Sequence, residues 1–295
     1  MNRQLLFSLT GLFALLTAAA CSGNGNNGTP DAGGTDADID PFEDPVIRVS
    51  GTAEVHPSAK AWLEGQSQPL PSLEGLTLRV QEPLRVALND PGAVFGSVTL
   101  GADAAFSVDG VDTARVNTGI AAGVLDERMG PNPVVVRTST AIWDVQLRQG
   151  KPELDISDAR AWALPTEFHD QLTVSIGEAA IQAVTGDSTK VTLIDAGFML
   201  GRVVDAAGNP VAGAVIGAEM QYADRIWYPN ETFTGAGKGV GTSAHGLFVY
   251  VHPGTDEPSR FTFSVKDRGE YLSRNGGAAV GAGLLINVFP GTQAP

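Results

Sequence analysis

From Val46 to the C-terminus the chain consists of short segments in which apolar and polar residues alternate, separated by turns rich in Gly, Pro and Asp. A period of two places successive side chains on opposite faces of a strand, so the pattern indicates half-buried β-strands. Turn signals recur at roughly 8–12 residues, a spacing typical of an antiparallel β-sandwich. The clearest strands are predicted at 76–80, 106–108, 134–137, 247–251 and 261–265.

Disulfide bonds cannot stabilise this fold, because Cys21 is the only cysteine among the 295 residues. Burial of apolar side chains must therefore hold each core, and a composition of 43% hydrophobic and 18% charged residues permits it. The 36 glycines and 18 prolines favour turns over long helices. The length suffices for two domains, and we predict an all-β protein with two antiparallel β-sandwich modules at 46–147 and 198–295.

The second module carries a recognisable motif. Residues 201–215 read Gly-Arg-Val-Val-Asp-Ala-Ala-Gly-Asn-Pro-Val-Ala-Gly-Ala-Val, which is a strand, a turn and the start of a second strand. Residues 242–248 then give another turn that leads into a strand. Over 198–295 the chain resembles the carboxypeptidase regulatory-like domain, which implies a transthyretin-like (Ig-like) β-sandwich and no reaction of its own. His245 stands where that family often has Asp or Asn.

A fainter copy of the same pattern is present in the first module. Gly51 corresponds to Gly201, Gly75 corresponds to Gly213, and Phe106 at the end of 99–106 corresponds to Phe248. Such pairs lie 138 to 150 positions apart, which indicates a divergent internal repeat. The alternative is that any two sandwiches share turns of this kind.

Residues 148–197 are predicted to be a connector. Within it, 166–176 has the pattern of a short helix, with Thr166 as its cap and Phe168, Leu172 and Ile176 on one face. A strand through 172–176 is the competing prediction.

The N-terminus constrains where the protein works. Residues 1–20 hold one charge, Arg3, then an apolar run and small residues directly before Cys21. This resembles a bacterial lipoprotein signal peptide, which implies that Cys21 is acylated and becomes the new N-terminus. Ala18 departs from the larger aliphatic residue usual in that family. An ordinary cleaved signal and a transmembrane anchor are the alternatives, although the apolar run is short for a span.

Residues 21–45 follow as a tether, with many Gly and Asn residues, then Asp and Glu, and no Lys or Arg. Low hydrophobicity with charge of one sign predicts disorder. Ser22 stands after the cysteine, where an aspartate would favour inner-membrane retention in enteric bacteria. We therefore expect a lipid anchor in the outer membrane, facing either the periplasm or the exterior.

The net charge of the chain limits the classes of partner that it can bind. The formal net charge of −14 excludes nucleic acid as a likely class of ligand, because an acidic chain gains nothing from counterion release. Anionic lipid would repel the chain as well, so the membrane contact has to come from the lipid on Cys21.

The sequence contains few motifs that indicate catalysis or metal binding. The four histidines show no spacing typical of metal ligands, and we predict no metal site, no catalytic residues and no cofactor. Glu167, His169 and Asp170 are interpreted as a surface cluster. Three aromatic residues beside a Gly-rich loop form the candidate ligand-binding set: Trp227, Tyr228 and Phe233. The alternative is that these residues close the core of the sandwich.

These observations predict a non-catalytic, lipid-anchored cell-envelope protein whose sandwiches bind a protein or carbohydrate ligand or serve as a scaffold. One alternative is an assembly or chaperone-like lipoprotein that presents a sheet edge to an outer-membrane or secretion complex. Another is a carbohydrate-active or peptidase-type enzyme, which would need two carboxylates facing each other across a cleft.

Overall fold

Strands dominate the computed structural model, which describes residues 44–128 and 132–295. The signal peptide at 1–20, the lipidation site Cys21 and all of the tether except 44–45 lie outside the described residues. The first half contains β1 (Val46–Val55), β2 (Thr77–Gln81), β3 (Val94–Thr99), β4 (Ala105–Asp112), β5 (Gly119–Leu125), β6 (Val135–Val136), β7 (Thr138–Asp144) and β8 (Ile156–Pro165). The second half contains β9 (Phe198–Val203), β10 (Ile216–Gly217), β11 (Ile226–Pro229), β12 (Ala236–Gly237), β13 (Leu247–Val251), β14 (Ser259–Val265), β15 (Arg274–Ala278) and β16 (Gly283–Val288).

Helices are short and lie between the strands. They are α1 (Pro57–Gly65), α2 (Pro83–Ala87), α3 (Val145–Arg148), α4 (Thr166–Ile176), α5 (Glu178–Thr185), α6 (Leu193–Ala196) and α7 (Met220–Ala223), with a 3₁₀ turn at Thr113–Arg115. No helix among the described residues combines the length and the apolarity that crossing a bilayer requires.

The strands form three sheets, and the prediction of an all-β sandwich protein is confirmed. A nine-stranded sheet has the order β12-β11-β13-β9-β16-β7-β5-β2-β3. A four-stranded sheet has the order β4-β1-β8-β6, and a three-stranded sheet has the order β10-β14-β15. Most neighbours are antiparallel, as expected, but β1–β8, β16–β9 and β16–β7 are parallel pairs. The sheets are therefore mixed.

Two hydrophobic cores lie on opposite faces of the nine-stranded sheet. Along β9, Phe198 and Leu200 belong to the first core, whereas Met199 and Val203 belong to the second. Such alternation follows from the period of two of a strand. The four-stranded sheet and helices α4–α6 cover the first core, and the three-stranded sheet covers the second.

The two halves follow the same pairing scheme. In each, the first strand pairs antiparallel with a later strand (β1–β4, β9–β13) and parallel with the last (β1–β8, β9–β16). The other sheet repeats likewise as β2-β5-β7 and β10-β14-β15. The register agrees too, because Gly51 lies opposite Phe106 and Gly201 lies opposite Phe248. This is the arrangement that a repeat of one sandwich would produce.

The segment between the halves differs from the predicted connector. Residues 156–165 form β8, which lies between β1 and β6, so the first half of the fold extends past residue 147. Below, the first unit is β1–β8 and the second unit is β9–β16. The linking segment is helical, and α4 confirms the predicted helix over its competing strand. Thr166 does not cap this helix: Pro165 occupies the N-cap position, and the Thr166 hydroxyl donates to Pro133 O at 2.6 Å.

Gly51 is required where β1 meets β8. The β8 backbone bulges at this point, with Asp158 at φ 58°, and a Cβ on Gly51 would lie 1.8 Å from Ala159 O. We expect Gly51→Ala to destabilise the protein by about 1–3 kcal/mol or more, because the β8 backbone must move. Thermal denaturation measures the change.

Gly65→Ala is the matched control, since no atom lies within 4 Å of the Cβ it would add at the end of α1. That variant should melt at the wild-type temperature or slightly above. Equal melting temperatures for the two variants would show that β1 and β8 are not this close.

Candidate functional site

A groove lies beside the edge of the three-stranded sheet, where that sheet no longer covers the nine-stranded sheet. Its volume is about 800 Å³. The floor is the face of β2, β5, β7 and β16 that points away from the first core, and α2 forms one wall. The opposite wall is β15 with the start of β14. Both halves of the chain therefore contribute to one concave site, the kind of place where ligands are usually bound.

Part of the floor consists of small side chains beside a polar pair. Gln81 Nε2 donates to Ser139 Oγ at 2.6 Å, which ties β2 to β7 across β5. Between them, a Cβ on Gly123 would approach these two polar atoms at 3.2 and 3.1 Å. Ala141 follows Ser139 along the groove face of β7. Small residues in the floor leave space for the side chains of a ligand.

Asp144 joins the two units at one end of the groove. Its Oδ2 accepts from Asn275 N at 2.9 Å, and its Oδ1 accepts from Asn275 Nδ2 at 3.0 Å. The same Oδ1 accepts from Gln146 N at 2.9 Å and caps α3. Burial raises the pKa of the Asp144 carboxyl, while the hydrogen bond from Asn275 N opposes that shift. The carboxylate is thus occupied by donors and fixes the end of β15 against β7.

Arg274 supports this end of β15 from below. Its side chain is buried, donates to Phe289 O at 2.6 Å and stacks on the Phe289 ring at 4.0 Å. Burial lowers the pKa of Arg274 to about 10, which the nearby Asp144 carboxylate partly opposes. At physiological pH the guanidinium remains charged.

The edge of β15 that faces the groove has free backbone groups. Asn275 N donates to Asp144, so this residue points its backbone away from β14. Alternate residues of an antiparallel strand point the same way, so Gly277 N–H and C=O also face the groove. On that side β15 has no neighbouring strand within 44–128 and 132–295, because it is an edge strand of the three-stranded sheet.

Charged side chains flank that edge. Arg137 extends from the start of β7 and Arg260 from β14, and both are exposed. Neither makes an ion pair within the described part of the chain. Glu219 and Asp256 also line the groove, and Glu219 accepts from Gln221 Nε2 at 3.1 Å.

The structure does not bring the predicted aromatic set together in this groove. Tyr228 is 3% exposed in the second core, and its hydroxyl accepts from Ile216 N at 2.8 Å. Phe233 is 2% exposed in the first core, where it packs on Phe168. Trp227 alone is half-buried, with Lys238 Nζ 4.5 Å from its ring. Tyr228 and Phe233 thus occupy the core-closing positions that the sequence left as the alternative.

Groove residues such as Asn275, Gly277 and Arg137 were missed by the sequence reasoning. They converge because β16 pairs with β7, and no local pattern indicates that pairing. The adjacent glycines Gly276 and Gly277 were the one available signal, since glycine inside a strand often marks a close approach of backbone.

The buried histidines are part of the hydrophobic cores. His169, predicted at the surface, is 2% exposed. Its Nε2 accepts from Ile194 N at 3.1 Å, so Nδ1 carries the proton and donates to Asp170 at 2.9 Å. Residues 44–128 and 132–295 contain no group of three or more His, Cys, Asp or Glu side chains placed to hold a metal ion.

Comparisons with known proteins assign no family. No protein-family model matches the chain, and no curated protein matches it. Among solved structures, the shaft pilin SpaA of Lactobacillus rhamnosus GG aligns with 85% of this chain and 100% of its own, at 9% identity and a TM-score of 0.23.

A Streptococcal ancillary pilin aligns with 84% of this chain and 69% of its own, at 11% identity and a TM-score of 0.23. The Bacillus anthracis TIE protein aligns with 83% of this chain and 34% of its own, at 12% identity and a TM-score of 0.22. TM-scores this low assign neither a fold family nor a function to the chain.

Acid should weaken the fold through His56. This residue is fully buried, with its ring centroid 5.0 Å from that of Trp162, and burial followed by the charge of Arg202 lowers its pKa to about 3. The unfolded chain has the ordinary pKa of about 6.5, so it binds the proton more readily. The stabilisation is full above pH 6.5 and is lost as the pH falls toward 3. We expect the free energy of unfolding to be about 2 kcal/mol lower at pH 5 than at pH 8 from His56 alone.

Urea denaturation at the two pH values measures this difference. His56→Phe, which keeps a ring against Trp162, should reduce the difference by about that amount. Burial also lowers the pKa values of His169 and His252, so a smaller slope should remain. An unchanged difference in His56→Phe would contradict the assignment.

Removing the Asp144 carboxylate should loosen the groove wall. Asp144→Ala removes the acceptor of the partly buried Asn275 N–H and the cap of α3, at a cost of about 1–3 kcal/mol. Amide hydrogen exchange in β15 should also accelerate. The control is Asp109→Ala, which removes an exposed ion pair with Arg48 and should change little. Equal effects of the two variants would show that Asp144 does not join the units.

Proposed function

We propose that this protein is a non-catalytic, lipid-anchored component of the cell envelope whose two β-sandwich units hold a ligand in the groove between them. The groove is the observation that carries the proposal. It is concave, combines apolar and polar walls, and is built by two units that pair through β16 and β7. A site supported by strands on both sides changes shape little, which lowers the cost of binding.

The anchoring part of the proposal rests on the sequence. The lipoprotein-like signal before Cys21 supports acylation of that residue, and Ser22 supports the outer membrane as the destination. Three acyl chains would hold the protein firmly, whereas one would not. The acidic segment after Cys21 would then separate the sandwiches from the lipid surface.

An assembly or chaperone-like lipoprotein is the second candidate function. The open edge of β15 favours it, because an exposed strand can pair with a segment of another chain. Both candidate functions use the same groove. They differ in whether the ligand is a stable partner or a transient one.

A photo-crosslinking experiment in cells tests the binding function together with the anchor. Ala141 on the groove floor is replaced by p-benzoylphenylalanine in a chain tagged after Pro295. We expect a crosslinked product from Ala141, and none from the same group at Arg160, an exposed position on β8 away from the groove. The products are separated by mass after illumination of intact cells.

Cys21→Ala in the same tagged chain tests the lipid. It should move the protein from the membrane fraction to the soluble fraction, while crosslinking at Ala141 to a soluble ligand persists. Equal crosslinking at Ala141 and Arg160 would overturn the binding role of the groove. Membrane retention of Cys21→Ala would overturn the lipid anchor.

A further inference from the structure

We propose, on the basis of the function just described, that the ligand of the groove is an extended peptide segment with an acidic side chain, which adds to β15 as a fourth strand of the three-stranded sheet. Three features of the groove point to such a ligand: the free strand edge, the room beside it and the two arginines that line the groove.

The first feature is the strand edge. Gly277 offers one N–H and one C=O toward the groove, and Asn275 offers its C=O there while its N–H is bound by Asp144. These are the groups that an added strand pairs with. Carbohydrate hydroxyls could bind one such group, but only an extended backbone matches their spacing along a strand. The five residues of β15 set the paired length at about 17 Å.

Space beside that edge is the second feature. An added strand lies about 4.8 Å from its neighbour, with side chains alternating between the two faces. Below the edge, Ser139 and Ala141 are small, so a side chain of the ligand that points down over them has room, whereas Trp143 of the same strand lines the groove nearer to Asp144. On β15 itself, Gly277 has no side chain to cover its own backbone groups.

Charge is the third feature and defines the ligand further. Arg260 lies across from Gly277 on the neighbouring strand, and its side chain lines the groove. Arg137 lines the groove from the floor. Neither has an ion-pair partner among the described residues, and the Asp144 carboxylate is already occupied by N–H donors. An Asp or Glu of the ligand can bind one or both guanidinium groups.

The carboxylates that line the groove indicate that the ligand carries one acidic residue and not a run of them. Glu219 and Asp256 also line the groove, so a ligand with many negative charges would be repelled there. We therefore expect a single Asp or Glu flanked by neutral residues that favour strands.

The test begins with random linear heptapeptides displayed on phage and selected on the purified full-length chain. Selected peptides are synthesised, and their affinities are measured by fluorescence anisotropy. Arg137→Glu and Arg260→Glu should each weaken binding at least 10-fold. Arg160→Glu, which changes an equally exposed arginine on β8, should leave the affinity unchanged.

Strand addition has its own signature. Methylation of backbone nitrogens along the peptide should weaken binding at least 10-fold at alternate positions only, because every second N–H points to β15. In the protein, hydrogen exchange of the Gly277 amide should slow when peptide is bound. The Asn275 amide, already bonded to Asp144, serves as the reference and should change much less.

The experiments distinguish failure of the peptide proposal from failure of the proposed function. Peptides that bind Arg137→Glu and Arg260→Glu as well as wild type would overturn the acidic contact, and peptides that tolerate methylation at every position would overturn strand addition. So would a selection that yields no binding peptide. If Ala141 still crosslinks a ligand in cells after such a result, the groove remains a binding site and only the peptide is wrong. If Ala141 crosslinks nothing in cells, the proposed function fails as well.

Discussion

The parallel pairing of β16 with two strands at once is the constraint on which the architecture depends. On one side β16 forms six residue pairs with β9 of its own unit, and on the other it forms three with β7 of the first unit. Gly283 makes this possible, since a Cβ there would lie 2.5 Å from the Phe198 ring and 2.9 Å from Thr138. A side chain at this position would separate the strands that β16 joins.

This pairing also creates the candidate site. Because β16 merges one sheet from each unit, the covering sheets fall on opposite faces, and the three-stranded sheet covers only part of its face. The part left open beside β15 is the groove. Asp144 then holds the two units together at one end of it through both of its oxygens. The site is thus a product of how the units are joined, and neither unit contains it alone.

Individual strands could be predicted from the sequence far better than the pairing between strands. All five predicted strands are present, and 247–251 agrees with β13 to the residue, because alternation in each segment reports burial on one face. The strand β8 was missed, since its backbone bulges at Asp158 and its partner β1 lies a hundred positions earlier. Aromatic residues near a Gly-rich loop suggested a ligand site, yet composition cannot tell an exposed ring from a buried one, as Tyr228 and Phe233 illustrate. The groove could not be predicted at all, because it needs the pairing of residues 138–140 with 283–285.

The position of β1 has a mechanical consequence. The described chain begins at Asp44, directly before β1, and β1 is paired along its length with β4 on one side and β8 on the other. A pull on residue 44 along the strand therefore loads both ladders in shear, and their hydrogen bonds must break together rather than one after another. Tension that pulls residue 44 along β1 would thus have to break both ladders at once before the strand could leave the sheet.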